Sequence, residues 1–149
     1  MNTIDIEVEN AAWSAALPDA ETLTRAAAEA AFAAIEPIVG SVAVLLTGDD
    51  EVAELNQQFR GKPGPTNVLS FPAPVGPEDH LGDIALAYGV CAREAVDQGK
   101  TLAAHLQHLV AHGVLHLVGY DHQTEAEAED MEALERDIVA SLGHPDPYA

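Results

Sequence analysis

Eleven residues, His112 to His122 (HGVLHLVGYDH), constrain the fold of this chain more than any other stretch. Histidines four apart on a helix project from one face about one turn apart, so His112 and His116 can reach a single metal ion. Gly119 supplies the left-handed residue that ends a helix, and the chain then turns through Tyr120 and Asp121 to bring His122 back toward the same ion. The fold must therefore present a helix C-terminus where a ligand can approach it. Three neutral imidazoles without a thiolate describe zinc with an open fourth position, the arrangement of a catalytic rather than a structural site.

The same helix carries two more histidines. His105, His108, His112 and His116 fall within a wedge of about 80°, one stripe along the helix. His105 and His116 are about 16 Å apart along the axis and His108 and His116 about 12 Å, whereas zinc–nitrogen bonds measure about 2.0–2.1 Å, so only neighbours share an ion. The pair His112 and His116 is preferred to His108 and His112 because it adjoins the reversal that supplies His122. His105 and His108 read as satisfied histidines on a helix face, with His108 placed to act from behind the site. In HExxH proteases a glutamate general base follows the first histidine. Here Gly113 stands in that place, which argues against peptide hydrolysis by that route.

The rest of the chain alternates between the two periodicities. Ile4, Ile6 and Val8 alternate with Asp5, Glu7 and Glu9, the mark of a strand with one wet face. An alanine-rich helix spans 19–36 and is stopped by Pro37, and Val42 to Leu46 forms a buried strand. Asp49 and Asp50 are candidate caps for a helix with Val52, Leu55 and Phe59 on one face, and residues 61–66 form a Gly- and Pro-rich loop. Two short strands, 68–71 and 81–87, flank a Pro-rich connection. A helix from about Val90 to Gln98 follows, then the long helix capped by Thr101. Thr124 and Glu127 open the last helix as a capping box, with Met131, Leu134, Ile138 and Leu142 buried. Its acidic residues, from Glu125 through Glu135 to Asp137, read as its wet face. The expected product is an α+β fold, a small mixed sheet of about four strands covered by helices with a metal site at the end of a long helix.

Composition limits the classes of function. A chain of 149 residues, 48% apolar, supports one core, so residues 1–149 are expected to form one domain. The N-terminus has no secretory pattern, and the longest apolar run, residues 38–46, is interrupted and far too short to cross a bilayer. A cytoplasmic location without membrane attachment is expected. The single cysteine, Cys91, excludes a disulfide framework and reads as a small core residue. A formal charge of −19 repels nucleic acid at long range, so any such site must be a local basic cleft.

Three motifs in order resemble one family. HGVLHLVGYDH is similar to the signature of the YbeY family, bacterial endoribonucleases implicated in ribosomal RNA maturation. Leu55, Asn56 and Arg60, followed by Pro65, Thr66, Val68, Leu69, Ser70, Phe71 and Pro72, match a second family motif, and Leu81, Gly82, Asp83 and Ile84 match its LGDI segment. Asn67 stands where the family often has aspartate, which retains hydrogen bonding and removes a charge.

The resemblance implies a zinc-dependent, single-strand-specific endoribonuclease that matures the 3′ end of small-subunit (16S) rRNA and serves 70S ribosome quality control. It further implies that His112, His116 and His122 hold one Zn2+ and that these three with Arg60 are the catalytic residues. The implied partners are ribosomal RNA, the ribosome and ribosomal proteins, with no DNA. Arg60 offers a planar donor fork for phosphate, although an arginine at a helix C-terminus is also favoured by the dipole alone. Imidazole ligands also accept nickel, cobalt or copper. Asp121 reads as a turn residue, and Asp83 either holds an imidazole, pairs with a cation or caps the sheet edge. A non-catalytic ribosome-assembly factor with a structural zinc is the alternative, with a metalloprotease behind it.

Overall fold

The structure, a computed structural model, describes residues 2–35, 38–73, 79–120 and 123–148. Ten elements follow in the order β1 (Thr3–Val8), α1 (Ala11–Ala16), α2 (Ala20–Ala33), β2 (Ser41–Thr47), α3 (Asp49–Arg60), β3 (Val68–Pro72), β4 (His80–Ala87), α4 (Tyr88–Asp97), α5 (Leu102–Leu117) and α6 (Glu125–Ser141). The strands form one sheet in the order β1-β2-β4-β3; the first three are parallel and β3 is antiparallel to β4. The α+β class and the four-stranded mixed sheet read from the sequence are thus observed.

Period-two alternation decides the two faces of the sheet. Ile4, Val42, Val44, Leu46, Ile84 and Leu86 point to one side, where they pack with α2, α5 and α6 in the main core. Asp5, Glu7, Ala43, Leu45, Asp83 and Ala85 belong to the other side in register. There α3 covers only the β3–β4 end, through a second cluster of Val52, Leu69, Ala85 and Ala87. The remainder of that face stays open as a cleft.

Helix α5 is central. Leu106, Leu109, Val110, Ala111, Val114 and Leu115 are buried around its circumference, as expected of a helix enclosed by protein rather than lying on a surface. Gly113 brings it close to the sheet: a Cβ there would lie 3.0 Å from Ile84 Cδ1. No helix among the described residues is long and apolar enough to cross a membrane.

Local readings fared unevenly. Thr101 caps α5 by accepting the Ala104 N–H at 3.1 Å, as expected. Thr124 Oγ1 accepts the Glu127 N–H at 3.1 Å, but the Glu127 carboxylate takes the threonine hydroxyl, so the capping box is half formed. Asp49 does not cap its own helix, whose N-cap is Gly48. Its carboxylate instead accepts the Val90 N–H at 3.1 Å and faces Arg93 at 3.2 Å, serving the first turn of α4 across the fold. Helix α1 has no counterpart in the sequence reading, because six residues are too few to show a period; it buries Trp13, whose indole N–H donates to the Thr47 carbonyl at 2.9 Å. The predicted stop at Pro37 lies outside the described residues.

Gly82 is the tightest point of the sheet, with φ +152 and no room for a Cβ, which would collide with the Phe71 carbonyl and Leu117. Gly82→Ala is expected to destabilise the protein by about 3 kcal/mol from combined backbone strain and overpacking. Gly64→Ala, at φ +83 with nothing nearby, should cost about 1 kcal/mol by the same denaturant titration.

Candidate metal centre

The end of α5 forms as the glycine requires. The Gly119 N–H donates to His116 O at 3.2 Å and the Tyr120 N–H to Leu115 O at 3.0 Å, the paired bonds of a Schellman cap, with Gly119 at φ +107. Tyr120 packs back on the core. This leaves the chain reversed just after His116. Asp121 and His122 lie outside the described residues.

The two described histidines of the triad share one face of α5. Their rings are 6.5 Å apart between centroids and within 10° of parallel. His112 is held from behind by Glu135 of α6, whose Oε2 is 3.4 Å from Nδ1. Donation from Nδ1 makes Nε2 the basic nitrogen of that ring. The other oxygen, Glu135 Oε1, takes His108 Nε2 at 2.6 Å and the Tyr148 hydroxyl at 2.8 Å. Burial alone would raise the Glu135 pKa, but the hydrogen bonds from His108 and His112, with that from Tyr148, hold it down to about 2. Burial and the neighbouring Glu135 carboxylate push the Tyr148 phenol up.

Glu135 overturns one expectation. Placed by sequence on the wet face of α6, it is 1% exposed. The acidic run hides it, because six of its seven members do belong on or near the surface; the signal lies in its spacing of four from Met131 and three from Ile138, both buried. His108 behaves as expected, a hydrogen-bonded group behind the site. His105 is satisfied separately by Glu94 Oε1 at 2.8 Å, and burial lowers its pKa.

A metal ion fits these donors. Nδ1 is buried without a hydrogen-bond partner in His105, His108 and His116 alike, but of the three only His116 also lacks a partner at Nε2 among the described residues, which leaves its ring free to take an ion. Two imidazoles, one fixed by a carboxylate, are the ordinary surroundings of a zinc ligand pair. Among the described residues, no three ligand side chains converge.

Arg60 sits on the other side of the sheet. It ends α3, C-capped by Gly61, and lines the open-face cleft of about 930 Å³ with Leu55, Phe59, Phe71, Asp5 and Asp83. The structure therefore brings His112 and His116 together and places Arg60 apart from them. The two regions approach at the end of the β3–β4 pair, where Leu117 of α5 lies against Gly82, and Gly82 pairs with the cleft residue Pro72. Asp83 holds an imidazole, that of His80, at 3.2 Å.

Asn67, at the head of β3, accepts the Val68 N–H at 2.7 Å and donates Nδ2 to Glu94 Oε1 at 3.0 Å. The amide thus links β3 to the carboxylate that also serves His105. An aspartate there would set two carboxylates against each other.

Comparison with known proteins follows the same lines. The profile of the YbeY family, described as Endoribonuclease YbeY, matches residues 5–143. The protein named Endoribonuclease YbeY in Maricaulis maris (strain MCS10) is 52% identical over 148 residues, covering 99% of this chain and 92% of the relative. Its namesake in Chelativorans sp. (strain BNC1) is 50% identical, with 99% and 93% covered. Among solved structures, the solution structure of TM1509 from Thermotoga maritima superposes with a TM-score of 0.58 at 29% identity, over 99% of this chain and 98% of that one.

Two substitutions test the geometry. Glu135→Gln leaves donors facing an amide and is expected to lower stability by about 3 kcal/mol and zinc affinity about 10- to 100-fold, read by denaturation and zinc titration. Asn67→Asp should cost about 1–2 kcal/mol at neutral pH. Like-charge repulsion raises a carboxylate pKa in the folded state, so this deficit shrinks as pH falls into the carboxylate range; a pH series of unfolding midpoints reads the sign.

Proposed function

The chain belongs to the YbeY family, and from that premise we propose that it is a zinc-dependent, single-strand-specific endoribonuclease acting in the cytoplasm. Its proposed substrate is the 3′ end of small-subunit (16S) rRNA precursors, its wider task 70S ribosome quality control, and its partners the ribosome and ribosomal proteins. One domain over residues 1–149 carries the activity. The observation that carries this reading is the pair His112 and His116 at a glycine-terminated helix end, with a buried carboxylate fixing His112 from behind.

Each residue has a task in the proposed reaction. His112, His116 and His122 would hold the ion; Glu135 keeps the His112 ring turned outward and its Nδ1 protonated. When bound, zinc supplies a polarised phosphoryl oxygen or a bound water of lowered pKa. Arg60, on the cleft side of the sheet, presents two parallel N–H groups to a phosphate of the strand being cut and so holds that strand in place. Peptide hydrolysis of the HExxH type is disfavoured twice over, since position 113 lacks the glutamate and faces Ile84 in the core.

One observation favours a second reading, an assembly factor with a structural metal: a net charge of −19 opposes free RNA. The two separate in one assay. Zinc-loaded protein is expected to produce discrete cuts in a labelled precursor of small-subunit rRNA. His116→Ala and Arg60→Ala should each reduce cutting at least ~100-fold, a loss of the size seen when one transition-state donor is removed, and Arg60→Ala should retain fold and zinc. Chelation should abolish cutting and zinc should restore it. Equal cutting by parent and variants would reject the assignment, and no cutting by folded, zinc-bound parent would favour the assembly factor.

A further inference from the structure

The chain has six lysines and arginines, and the structure occupies four of them. Arg25 donates to the Ile4 carbonyl at 2.9 Å, Arg93 pairs with Asp49 at 3.2 Å, Lys100 donates to the Pro147 carbonyl at 3.1 Å, and Arg136 pairs with Asp146 at 3.2 Å. The side chains of Arg60 and Lys62 alone make no hydrogen bond or ion pair among the described residues. Both residues are exposed; Arg60 lines the open-face cleft, and Lys62 follows two residues on, just after the Gly61 cap of α3.

Beside them is Phe59, 61% exposed on the same cleft, its ring propped against Phe71 at 5.3 Å between centroids. A phenylalanine held upright by a second ring and left bare on its outer side is a stacking surface. Free cations next to an exposed aromatic are what single-stranded nucleic acid needs: π-stacking for a base and point charges for the phosphates on either side. Asp5 and Glu7, on β1 at the far edge of the sheet, line the other end of the cleft and repel phosphate. That polarity orients the occupant, with its backbone along Arg60 and Lys62 and its base turned inward over Phe59 and the apolar floor of Leu45 and Ala85.

We propose that Phe59, Arg60 and Lys62 form a binding subsite for single-stranded RNA, in which Phe59, backed by Phe71, stacks one base while Arg60 and Lys62 hold the flanking phosphates. The subsite rests on the endoribonuclease reading for its substrate class, and it adds a base-stacking residue and a second phosphate contact. Lys62 gains its role from position: it is an exposed cation two residues beyond Arg60, on a molecule otherwise dominated by carboxylates.

The test uses zinc-loaded protein and a fluorescein-labelled 12-nucleotide single-stranded RNA, with steady-state cutting and fluorescence anisotropy read on the same variants. Phe59→Ala is expected to raise KM and Kd about 5- to 150-fold with a much smaller change in kcat, and Phe59→Tyr to restore affinity. Lys62→Ala should reduce the slope of log Kd against log salt by about 0.7, one phosphate on a single strand. Thermal midpoints within a few degrees of the parent exclude misfolding, as the exposure of both side chains leads one to expect. Parental KM and Kd in Phe59→Ala overturn the proposal while leaving the endoribonuclease reading intact. If the parent binds RNA without cutting it, weaker binding by Phe59→Ala upholds the subsite and the catalytic reading fails instead. RNA affinity unchanged in the variants, with loss of binding to an arginine- and lysine-rich peptide, also overturns it and assigns the cleft to a protein partner.

Discussion

A buried imidazole is costly without a partner for at least one ring nitrogen, and α5 carries four imidazoles into the space between the sheet, α2 and α6. Glu94 from α4 meets His105, and Glu135 from α6 meets His108 and His112. A shift of one residue along α5 would rotate these rings by about 100° and take the imidazoles away from both carboxylates, leaving buried Glu135 with the Tyr148 hydroxyl alone. The acid–imidazole contacts therefore fix the rotation of α5 within the fold. Close approach of Gly113 to Ile84 fixes its height over the sheet. The geometry of His112 and His116 is inherited from both, which is how a histidine pair near a helix end can be firm.

The sheet divides the functional parts. Its α5 face is dry and carries the histidines; its other face is half covered by α3 and carries Arg60, Phe59 and the acidic side of β1. These parts adjoin at the Phe71–Pro72 and Gly82 end of the β3–β4 pair. A strand of RNA touching both would pass round the edge formed by β3. Asn67 strengthens that edge by tying its first residue to Glu94 and, through it, to His105.

How much of this is legible in the sequence depends on how local its cause is. The strands, the caps of α5 and α6 and the glycine-terminated end of α5 follow from neighbours in sequence, and they are found where the pattern puts them. Asp49 looks like the cap of α3 and instead serves α4, forty-one residues on, because a long-range carboxylate contact leaves no local trace. Glu135 is concealed in a run of acids whose other members are solvated. Its spacing from Met131 and Ile138 marks the buried face, but its partners His108 and His112 lie across a helix interface, which no periodicity on α6 alone can show. The same holds for Phe59: its spacing from Val52 and Leu55 is that of a core face, but α3 covers only the β3–β4 end of the sheet, and the third position of the stripe is left bare at the open cleft. Arg60 is legible as a residue of interest only through its motif, since its separation from the histidines is a matter of topology.

The charge of the molecule gives these details their weight. With 25 acidic residues against six lysines and arginines, most cations are spent on the fold: Arg25 fastens α2 to β1, Arg93 joins α4 to α3, and Lys100 and Arg136 hold the C-terminal segment. Screening confines what remains to about 8 Å at physiological salt, so attraction to a phosphate is felt only within reach of Arg60 and Lys62, while the long-range field is repulsive. Affinity for RNA then has to come from contact, above all from stacking, which is neither steered by charge nor weakened by salt to the same degree. Under the reading proposed above, such a field would favour an RNA strand presented closely enough to stack over one held only by its phosphates.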